Sequence, residues 1–391
     1  MHSHSFRHQC FPAATAADWN SWQWQMRSRI RRSDDFARIF ELSADESSAL
    51  KHAEDHLPVA ITPYYASLMS RTDPEHPLRR AHLPREAEFV VSEGEHQDPL
   101  GEEKHQAAPG ITHRYPDRVL FLITNQCPVY CRYCMRSRLV GKMDKEHLIP
   151  MSQWEASLKY IREHDEIREV LLSGGEPLLL GDERLAWLLK ELDTIPHVEI
   201  IRFSTKMLAA MPQRVTPQFL RALKTNKPIW MALHLLHPLE ITPEFSKAAE
   251  KLIRAGIVLT TQTPLLKGVN DDAEVMKELM TLCIRNRIRP YYIFQCDPIH
   301  GSAYLRPPIE KGLEIIEALQ GSISGHAVPH YVVDVEGVGK MTLAPQRYSY
   351  SENGYHYFTN YKGETARYYD PDSPAPYAVQ GTKLHKQEKR N

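Results

Sequence analysis

A complete strand–turn–helix unit lies at Glu169-Val-Leu-Leu-Ser-Gly-Gly-Glu-Pro-Leu-Leu-Leu-Gly-Asp-Glu-Arg-Leu-Ala-Trp-Leu-Leu-Lys-Glu-Leu-Asp193. It begins with the apolar, β-rich run Glu169–Ser173 and ends with the helix-like segment Asp182–Asp193. Two glycines and a carboxylate directly follow the predicted strand, where the backbone can approach a ligand closely. The stretch therefore predicts one βα unit of a parallel sheet, with a candidate site at the carboxyl end of its strand.

The same alternation extends on both sides of this unit. Further strands are predicted at Val119–Thr124, Val198–Ser204, Pro228–His234, Ile257–Thr263 and Pro290–Cys296, and further helices at Met151–Glu163, Thr216–Lys224, Thr242–Ala255, Asp271–Asn286 and Ile309–Gly321. Strands and helices in this order imply a parallel sheet with right-handed crossovers. Six units are two fewer than a closed barrel contains. The pattern alone is compatible with an incomplete (β/α)6 barrel and with an open doubly wound sheet.

The flanking regions have a different character. Before the alternation, helices are predicted at Ala17–Arg32, Asp45–Leu57 and Ile61–Ser70, and the charged stretch Glu93–Gly110 is interpreted as a linker or surface loop. After it, strands are predicted at Tyr331–Asp334, Met341–Tyr350, Tyr355–Tyr361 and Thr365–Tyr369, with a disordered end at Gly381–Asn391. We therefore expect a helical N-terminal region (1–110), a partial barrel (111–322) and a small β-rich C-terminal segment (323–391).

Composition excludes several classes of protein. The 391 residues carry 48 Lys+Arg against 49 Asp+Glu, a net charge of −1, whereas nucleic-acid binders usually have a basic excess. No apolar run reaches the roughly 18 residues of a membrane span, and the N-terminus has no secretory signature. Six cysteines are too few for a disulfide scaffold in a chain of this length. We expect a cytoplasmic protein.

Three of the six cysteines are clustered in Cys127-Pro-Val-Tyr-Cys131-Arg-Tyr-Cys134, directly after the first predicted barrel strand. Three thiolates this close are typical of an iron–sulfur cluster or zinc. The immediate vicinity offers no fourth ligand, which favours a catalytic centre with an open coordination position. The alternative is a structural zinc site completed by His147 or a more distant histidine. Cys10, Cys283 and Cys296 are interpreted as ordinary thiols.

The cysteine spacing, followed by a strand that ends in Ser173-Gly174-Gly175-Glu176, resembles the radical S-adenosylmethionine (SAM) superfamily. The resemblance narrows to the lysine 2,3-aminomutase family over about Trp19 to Ala344. The segments that carry it are His113-Arg-Tyr-Pro-Asp-Arg118, Gly268-Val-Asn-Asp271, Arg289-Pro-Tyr-Tyr292 and Gln295-Cys-Asp297.

The resemblance implies two of the cofactors. Cys127, Cys131 and Cys134 would hold a [4Fe–4S] cluster whose free iron binds SAM, and an electron from the cluster would cleave SAM to a 5′-deoxyadenosyl radical. An external electron donor of the flavodoxin or ferredoxin type is then required. The SAM-binding residues implied are Ser173, Gly174, Gly175, Glu176, His234 and Gln262. The family more often has Asp where this chain has Glu176.

The third implied cofactor is pyridoxal 5′-phosphate (PLP). Arg114 and Arg118 match positions that contact its phosphate, a task that suits planar guanidinium donors, and Tyr115 between them is implied as a further PLP-binding residue. Lys340, in a glycine-containing turn after Val332-Val-Asp334, matches the Schiff-base lysine, which a flexible loop would bring to the cofactor. This turn is one residue shorter than the family pattern, and Phe294 stands where the family commonly has tyrosine.

The substrate residues are also implied by the resemblance. Arg136 matches the arginine that binds the substrate carboxylate, and Asp297 and Asp334 match two acids that hold the distal ammonium of lysine. Glutamate-using relatives replace these acids, so their presence favours a basic amino acid such as lysine or arginine. Against lysine itself, a segment that is polar in typical lysine mutases is apolar here at Ala232, Leu233, Leu235 and Leu236.

The sequence therefore predicts a radical SAM, PLP-dependent amino acid 2,3-aminomutase acting on a small molecule, with no zinc because no cysteine follows Cys296. A homo-oligomer is possible. The alternatives are elimination or deamination of another amino acid, the aminomutase reaction on a lysine residue of a protein, modification of an RNA, and a non-catalytic iron–sulfur or zinc protein.

Overall fold

The main structural element is a ten-stranded sheet. The computed structural model describes residues 2–53, 57–140, 149–345, 348–353, 355–360 and 362–370. The strands, in chain order, are β1 (Gln106–Ala108), β2 (Ile111–Tyr115), β3 (Arg118–Thr124), β4 (Glu169–Gly174), β5 (Ile200–Thr205), β6 (Ile229–His234), β7 (Val258–Leu265), β8 (Arg289–Gln295), β9 (His330–Val335) and β10 (Gly339–Leu343).

The order of the strands resolves the choice that the sequence pattern left open. Neighbours in space are neighbours in the chain from β1 to β10, and β3 to β9 are all parallel. A doubly wound sheet would reverse its strand order at a switch point. Consecutive parallel strands instead curve in one direction, so the sheet is a partial barrel, as predicted. The short strands at its two ends, β1–β2 and β10, are antiparallel to their neighbours.

The helices follow the expected alternation. Within the described ranges they are α1 (His2–Cys10), α2 (Ala16–Trp19), α3 (Trp22–Arg27), α4 (Ser33–Ile39), α5 (Ala44–His52), α6 (Pro63–Ala66), α7 (Pro77–Arg80), α8 (Met151–Glu163), α9 (Asp182–Asp193), α10 (Met207–Ala210), α11 (Pro217–Ala222), α12 (Pro243–Arg254), α13 (Ala273–Arg285) and α14 (Ile309–Leu319). In α9, Leu185, Leu188, Leu189 and Leu192 form the buried stripe of an amphipathic helix. None of these helices combines the length and apolarity that a membrane crossing requires.

Three of the predicted helices were wrong in their extent. The single helix over Ala17–Arg32 is two short helices, because Asn20 ends α2 and the Ser21 hydroxyl caps α3 by accepting the Trp24 amide at 3.3 Å. The predicted helices Asp45–Leu57 and Ile61–Ser70 are shorter, as α5 and α6, although Thr62 caps α6 ahead of Pro63 as expected.

The C-terminal prediction also needs correction. The strand over Met341–Tyr350 is divided between β10 and β11 (Tyr348–Glu352), and Pro345 between them has no amide hydrogen to give to a ladder. β11 belongs to a separate antiparallel sheet with β12 (Tyr355–Thr359) and β13 (Thr365–Tyr369). The predicted strand Tyr331–Asp334 lies in β9 and extends the parallel barrel past 322. Gly381–Asn391 lies outside the described residues.

A buried ion pair holds the N-terminal helices together. Arg79 on α7 and Glu46 on α5 have fully buried side chains, with Nε 3.1 Å from Oε1 and Nη2 2.5 Å from Oε2. The guanidinium also donates to the carbonyl oxygens of Glu41, Ser70 and Arg71. Every donor is thereby satisfied by a fixed group, so this region has one defined packing rather than a set of loosely joined helices.

We expect Glu46→Gln to lower the free energy of unfolding by about 3–5 kcal/mol, because it leaves a buried guanidinium without its counter-charge. The matched control is Glu75→Gln, whose exposed carboxylate pairs with Arg80 and Arg85 and whose loss costs about 1 kcal/mol or less. Urea denaturation of the two variants measures both values. Equal losses would contradict the assigned role of the buried pair.

Candidate active site

A cavity of about 590 Å³ occupies the barrel and the carboxyl ends of its strands, a size typical of small-molecule sites. The residues predicted from the sequence as site residues all line it. They are Arg114, Tyr115, Arg118, Cys127, Cys131, Cys134, Arg136, Ser173, Gly174, Gly175, Glu176, His234, Gln262, Asp297, Asp334 and Lys340. Residues that are more than 200 positions apart in the chain therefore line the same cavity.

Residues 125–138, which we call the cysteine loop, follow β3. Residues of the N-terminal region form hydrogen bonds with the backbone of this loop. The Tyr130 amide donates to the Ala60 carbonyl at 3.1 Å, and the Arg132 amide donates to the Ala81 carbonyl at 3.0 Å. The buried Arg132 guanidinium pairs with Glu88. These contacts fix the loop through its backbone, which leaves the cysteine side chains on the cavity side.

The three thiols suit a cluster. All three are free, and burial raises the pKa of each, to about 11 for Cys134, so a bound metal is needed to hold them as thiolates. Among the described residues, no three His, Cys, Asp or Glu side chains converge on a single ion. Each cysteine of a [4Fe–4S] cluster binds a different iron, and the three cysteines that line this cavity would supply those ligands. His147 lies outside the described residues.

Gly174 and Gly175 are required by the protein backbone itself. Gly174 has φ +122°, and a Cβ there would lie 2.1 Å from the Thr124 carbonyl oxygen. A Cβ on Gly175 would lie 2.3 Å from the carbonyl oxygen of Gln126, the residue before Cys127. The sequence suggested glycines for approach to a ligand. The structure adds a second reason, because the end of β4 packs directly on the start of the cysteine loop.

Glu176 connects the ends of two strands. Its buried carboxylate accepts hydrogen bonds from the Thr205 hydroxyl at 2.6 Å, the Lys206 amide at 2.8 Å and the Leu178 amide at 3.1 Å. Burial nevertheless raises its pKa to about 7. The longer side chain of Glu is thus accommodated by the β5 end, where the carboxylate serves as an acceptor for the protein.

His234 and Gln262 are direct neighbours across β6 and β7. Burial, together with the positive charges of Lys206 and Arg136, lowers the pKa of His234 to about 3. The imidazole is therefore neutral at physiological pH. A neutral ring beside an amide forms a polar but uncharged section of the cavity wall.

Lys340 belongs to an ion cluster whose centre is the carboxylate of Asp334. It lies opposite Asp334 in the β9–β10 pair, with Nζ 2.9 Å from Oδ2, and Arg114 Nη1 lies 3.1 Å from Oδ1 of the same carboxylate. Arg114 also donates to the Val335 carbonyl at 2.7 Å. The expectation that Lys340 sits in a flexible glycine loop was wrong, since Lys340 is the second residue of β10 and is paired with β9, after a turn that contains Gly337.

Aromatic rings surround the amine of Lys340. Its Nζ lies 5.7 Å from the ring centre of Tyr115 and 5.8 Å from that of Phe294. The Arg118 guanidinium lies 4.4 Å from the same Tyr115 ring. The buried Tyr115 hydroxyl has no hydrogen-bond partner among the described residues, so a ligand that offers an acceptor would satisfy it.

Arg136 has a partner that sequence reasoning missed. Its guanidinium binds the carboxylate of Glu102, with Nη2 2.7 Å from Oε1. Glu102 belongs to Glu93–Gly110, which we interpreted as a linker or surface loop, yet Glu95 and Glu102 are buried. Charged residues between glycine and proline resemble any solvated loop, and only the tertiary contact identifies this one.

The comparisons with known proteins agree with this geometry. Residues 121–280 match the family model described as the Radical SAM superfamily, and residues 316–389 match the model described as Lysine-2,3-aminomutase. The chain is 42% identical over 369 residues to an L-lysine 2,3-aminomutase of Acetoanaerobium sticklandii, covering 94% of this chain and 89% of that protein.

Two further relatives are equally similar. An L-lysine 2,3-aminomutase of Clostridium subterminale is 41% identical over 371 residues, covering 95% of this chain and 89% of that protein. A glutamate 2,3-aminomutase of Clostridioides difficile is also 41% identical, over 333 residues, covering 85% of this chain and 78% of that protein. Identity therefore does not distinguish a basic from an acidic substrate.

The partial barrel, the three-cysteine loop and the superfamily match define a radical SAM enzyme, whose cofactors include a [4Fe–4S] cluster and SAM. More narrowly, the chain belongs to the lysine 2,3-aminomutase family and is a radical SAM aminomutase.

The packing of Gly175 gives a test of how the cluster is held. We expect Gly175→Ala to push the cysteine loop away from β4, at a cost of about 1–3 kcal/mol, and to lower the iron and sulfide bound after anaerobic reconstitution. Gly181→Ala is the control, because a Cβ there meets no atom within 4 Å. Full cluster content in Gly175→Ala would show that the contact does not position the loop.

Proposed function

We propose that the protein moves the α-amino group of a basic α-amino acid, of the lysine or arginine type, to the β-carbon, with PLP as its third cofactor. The observation that carries the proposal is the position of Asp297, which lines the cavity together with Asp334. Burial and the neighbouring Asp334 carboxylate raise its pKa to about 7. The cations that act on it, Lys340 and Arg136, are bound to Asp334 and Glu102. A cationic substrate side chain would supply the missing counter-charge.

The charge on Asp334 supports the same substrate class. In the ligand-free arrangement Lys340 and Arg114 neutralise this carboxylate. Lys340 would hold PLP, and Asp334 would then keep the Arg114 guanidinium as its partner. Asp334 also lines the cavity, where its carboxylate would receive a substrate ammonium or guanidinium. An acidic substrate side chain would instead meet two carboxylates, which disfavours glutamate.

The two arginines near Tyr115 differ in how fully they are bound. Arg114 is held by Asp334 and by the Val335 carbonyl. Among the described residues, Arg118 forms an ion pair with the half-exposed Asp117, at 3.2 Å, and its side chain lines the cavity. We therefore propose that Arg118 and the Tyr115 hydroxyl bind the phosphate of PLP, and that Arg114 mainly orients Asp334.

The remaining proposed roles belong to other residues that line the cavity. When bound, SAM and the cluster supply a carbon-centred radical, and PLP supplies a π-system that delocalises the unpaired electron. Cys127, Cys131 and Cys134 would hold the cluster. SAM would contact Ser173, Gly174, Gly175, Glu176, His234 and Gln262. The barrel wall would exclude water from the radicals.

Other parts of the proposal concern partners and location. An external one-electron donor is needed because cleavage of SAM consumes an electron, and a flavodoxin or ferredoxin would provide it. Free thiols persist in a reducing compartment, which supports a cytoplasmic location. Elimination or deamination would begin with the same hydrogen abstraction, so analysis of the products distinguishes these outcomes from amino-group migration.

The reaction is tested by incubating the reconstituted enzyme anaerobically with SAM, PLP, a reductant and single amino acids. We expect a β-amino acid from lysine or arginine and none from glutamate. Lys340→Ala should lose both product formation and the absorbance band of protein-bound PLP. Turnover of glutamate alone, or borohydride labelling of a different lysine, would refute the assignment.

The raised pKa of Asp297 predicts how affinity depends on pH. Below about pH 7 this carboxyl is protonated and neutral, and above it the ionised form can pair with a cation. The affinity for the basic amino acid should therefore rise between pH 6 and 8, as measured by anaerobic calorimetry without reductant. In Asp297→Asn binding should be weaker and flat over this range. A parent profile as flat as that of the variant would contradict the role of Asp297.

A further inference from the structure

Residues 95–104, which we call the acidic strap, contact three separate parts of the enzyme, and Leu100 and Glu102 of the strap line the cavity. Glu95 accepts hydrogen bonds from the Gly301 amide and from Arg306, both at 2.8 Å, in the loop after β8. At its other end, Lys104 lies 2.5 Å from Glu336 in the β9–β10 turn that precedes Lys340. The strap is thus docked at both ends.

The middle of the strap binds the cysteine loop. Glu102 and Asp98 both lie within ion-pair distance of Arg138, at 3.5 and 3.1 Å, and Glu103 accepts a hydrogen bond from Arg138 at 2.9 Å. Glu102 differs from the other two acids because its carboxylate also contacts a residue that lines the cavity, Arg136.

The contact between Glu102 and Arg136 uses one defined edge of the guanidinium. Nε lies 3.1 Å from both carboxylate oxygens, and Nη2 lies 2.7 Å from Oε1. Nη1 donates to the Ser173 hydroxyl at 3.1 Å. Each terminal nitrogen carries two hydrogens, and these bonds use one of each. The end edge of a guanidinium, formed by Nη1 and Nη2, offers two parallel donors to a carboxylate, and Glu102 leaves that edge uncovered because it binds the Nε–Nη2 edge.

We propose that Glu102 is a positioning residue for the substrate. By binding the Nε–Nη2 edge, it holds the guanidinium plane so that the Nη1–Nη2 edge is presented to the carboxylate of the α-amino acid. Its charge also compensates a guanidinium that must remain ionised in a mostly buried place. A pre-oriented arginine loses less conformational freedom on binding, which increases affinity. This inference rests on the proposed function, in which Arg136 would bind the substrate carboxylate as the family resemblance implies.

The test compares two ligands in the holoenzyme without reductant. One ligand is lysine. The other is 1,5-diaminopentane, the diamine of the same chain length that lacks the carboxylate. Glu102→Gln keeps the size and one acceptor of Glu102 but removes its charge. We expect the dissociation constant of the amino acid to rise roughly tenfold or more, and that of the diamine to remain unchanged. Glu102→Asp, which keeps the charge, should show a smaller rise.

The control is Glu103→Gln, which removes an exposed acid of the same strap that binds Arg138. It should change neither constant. Cluster absorbance and the thermal unfolding midpoint identify a variant that has not folded, in which case Glu102→Asp alone decides. Tighter binding of the amino acid to Glu102→Gln would overturn the inference, because it would mean that Glu102 competes with the substrate.

Arg136→Lys tests the role of Arg136 in carboxylate binding separately from the positioning role of Glu102. If this variant leaves the ratio of amino acid to diamine affinity unchanged, Arg136 does not bind the carboxylate, and the proposed role of Arg136 fails together with the inference. If Arg136→Lys lowers the ratio while Glu102→Gln does not, only the inference about Glu102 is wrong. If both variants lower it, the positioning role is supported.

Discussion

Backbone atoms at the end of β4 lie against the backbone between β3 and Cys127, with no room for a side chain at Gly174 or Gly175. The N-terminal region holds the opposite side of the same loop through the carbonyl groups of Ala60 and Ala81. A loop fixed on two sides by main-chain contacts has a defined shape before a cofactor binds. The geometry of the cluster site thus depends on backbone packing more than on the cysteines themselves.

The second organising feature is the distribution of charge inside the barrel. Although the net charge is only −1, several charged side chains inside the barrel are buried, and most of them pair with a neighbouring side chain of opposite charge. Asp334 is shared by two cations, and Glu102 takes up Arg136. Asp297 differs, because the cations near it are bound elsewhere. In the proposed function the substrate completes this arrangement, so selection of a cationic side chain follows from a charge that the protein leaves uncompensated.

Much of the fold was predictable because its signals are local. The predicted bounds of α8 and α9 are the same as those in the structure, because apolar residues at helical spacing mark these helices in the sequence. The alternation of strands and helices alone did not decide the curvature of the sheet, because strand order is a tertiary property, and the partial barrel was predicted from the family resemblance. The helix predicted over Ala17–Arg32 failed because Ser21, a capping residue, breaks a stretch whose tryptophans suggested continuity.

The candidate site shows the same division. Its cysteines, glycines and acids were found through motifs, and all of them line one cavity. Glu102 was missed because a charged stretch that docks through tertiary ion pairs has the same composition as one that is solvated. The pairing of Arg114 with Asp334 was also not evident, since the two residues are 220 positions apart.

The most direct test of the account is an anaerobic crystal structure of the holoenzyme with SAM, PLP and lysine or arginine, without reductant. The account predicts that the distal cationic group lies within about 4 Å of the carboxylates of Asp297 and Asp334. It also predicts that the substrate carboxylate lies on the Nη1–Nη2 edge of Arg136. A distal group directed away from both acids would contradict the proposed basis of substrate selection.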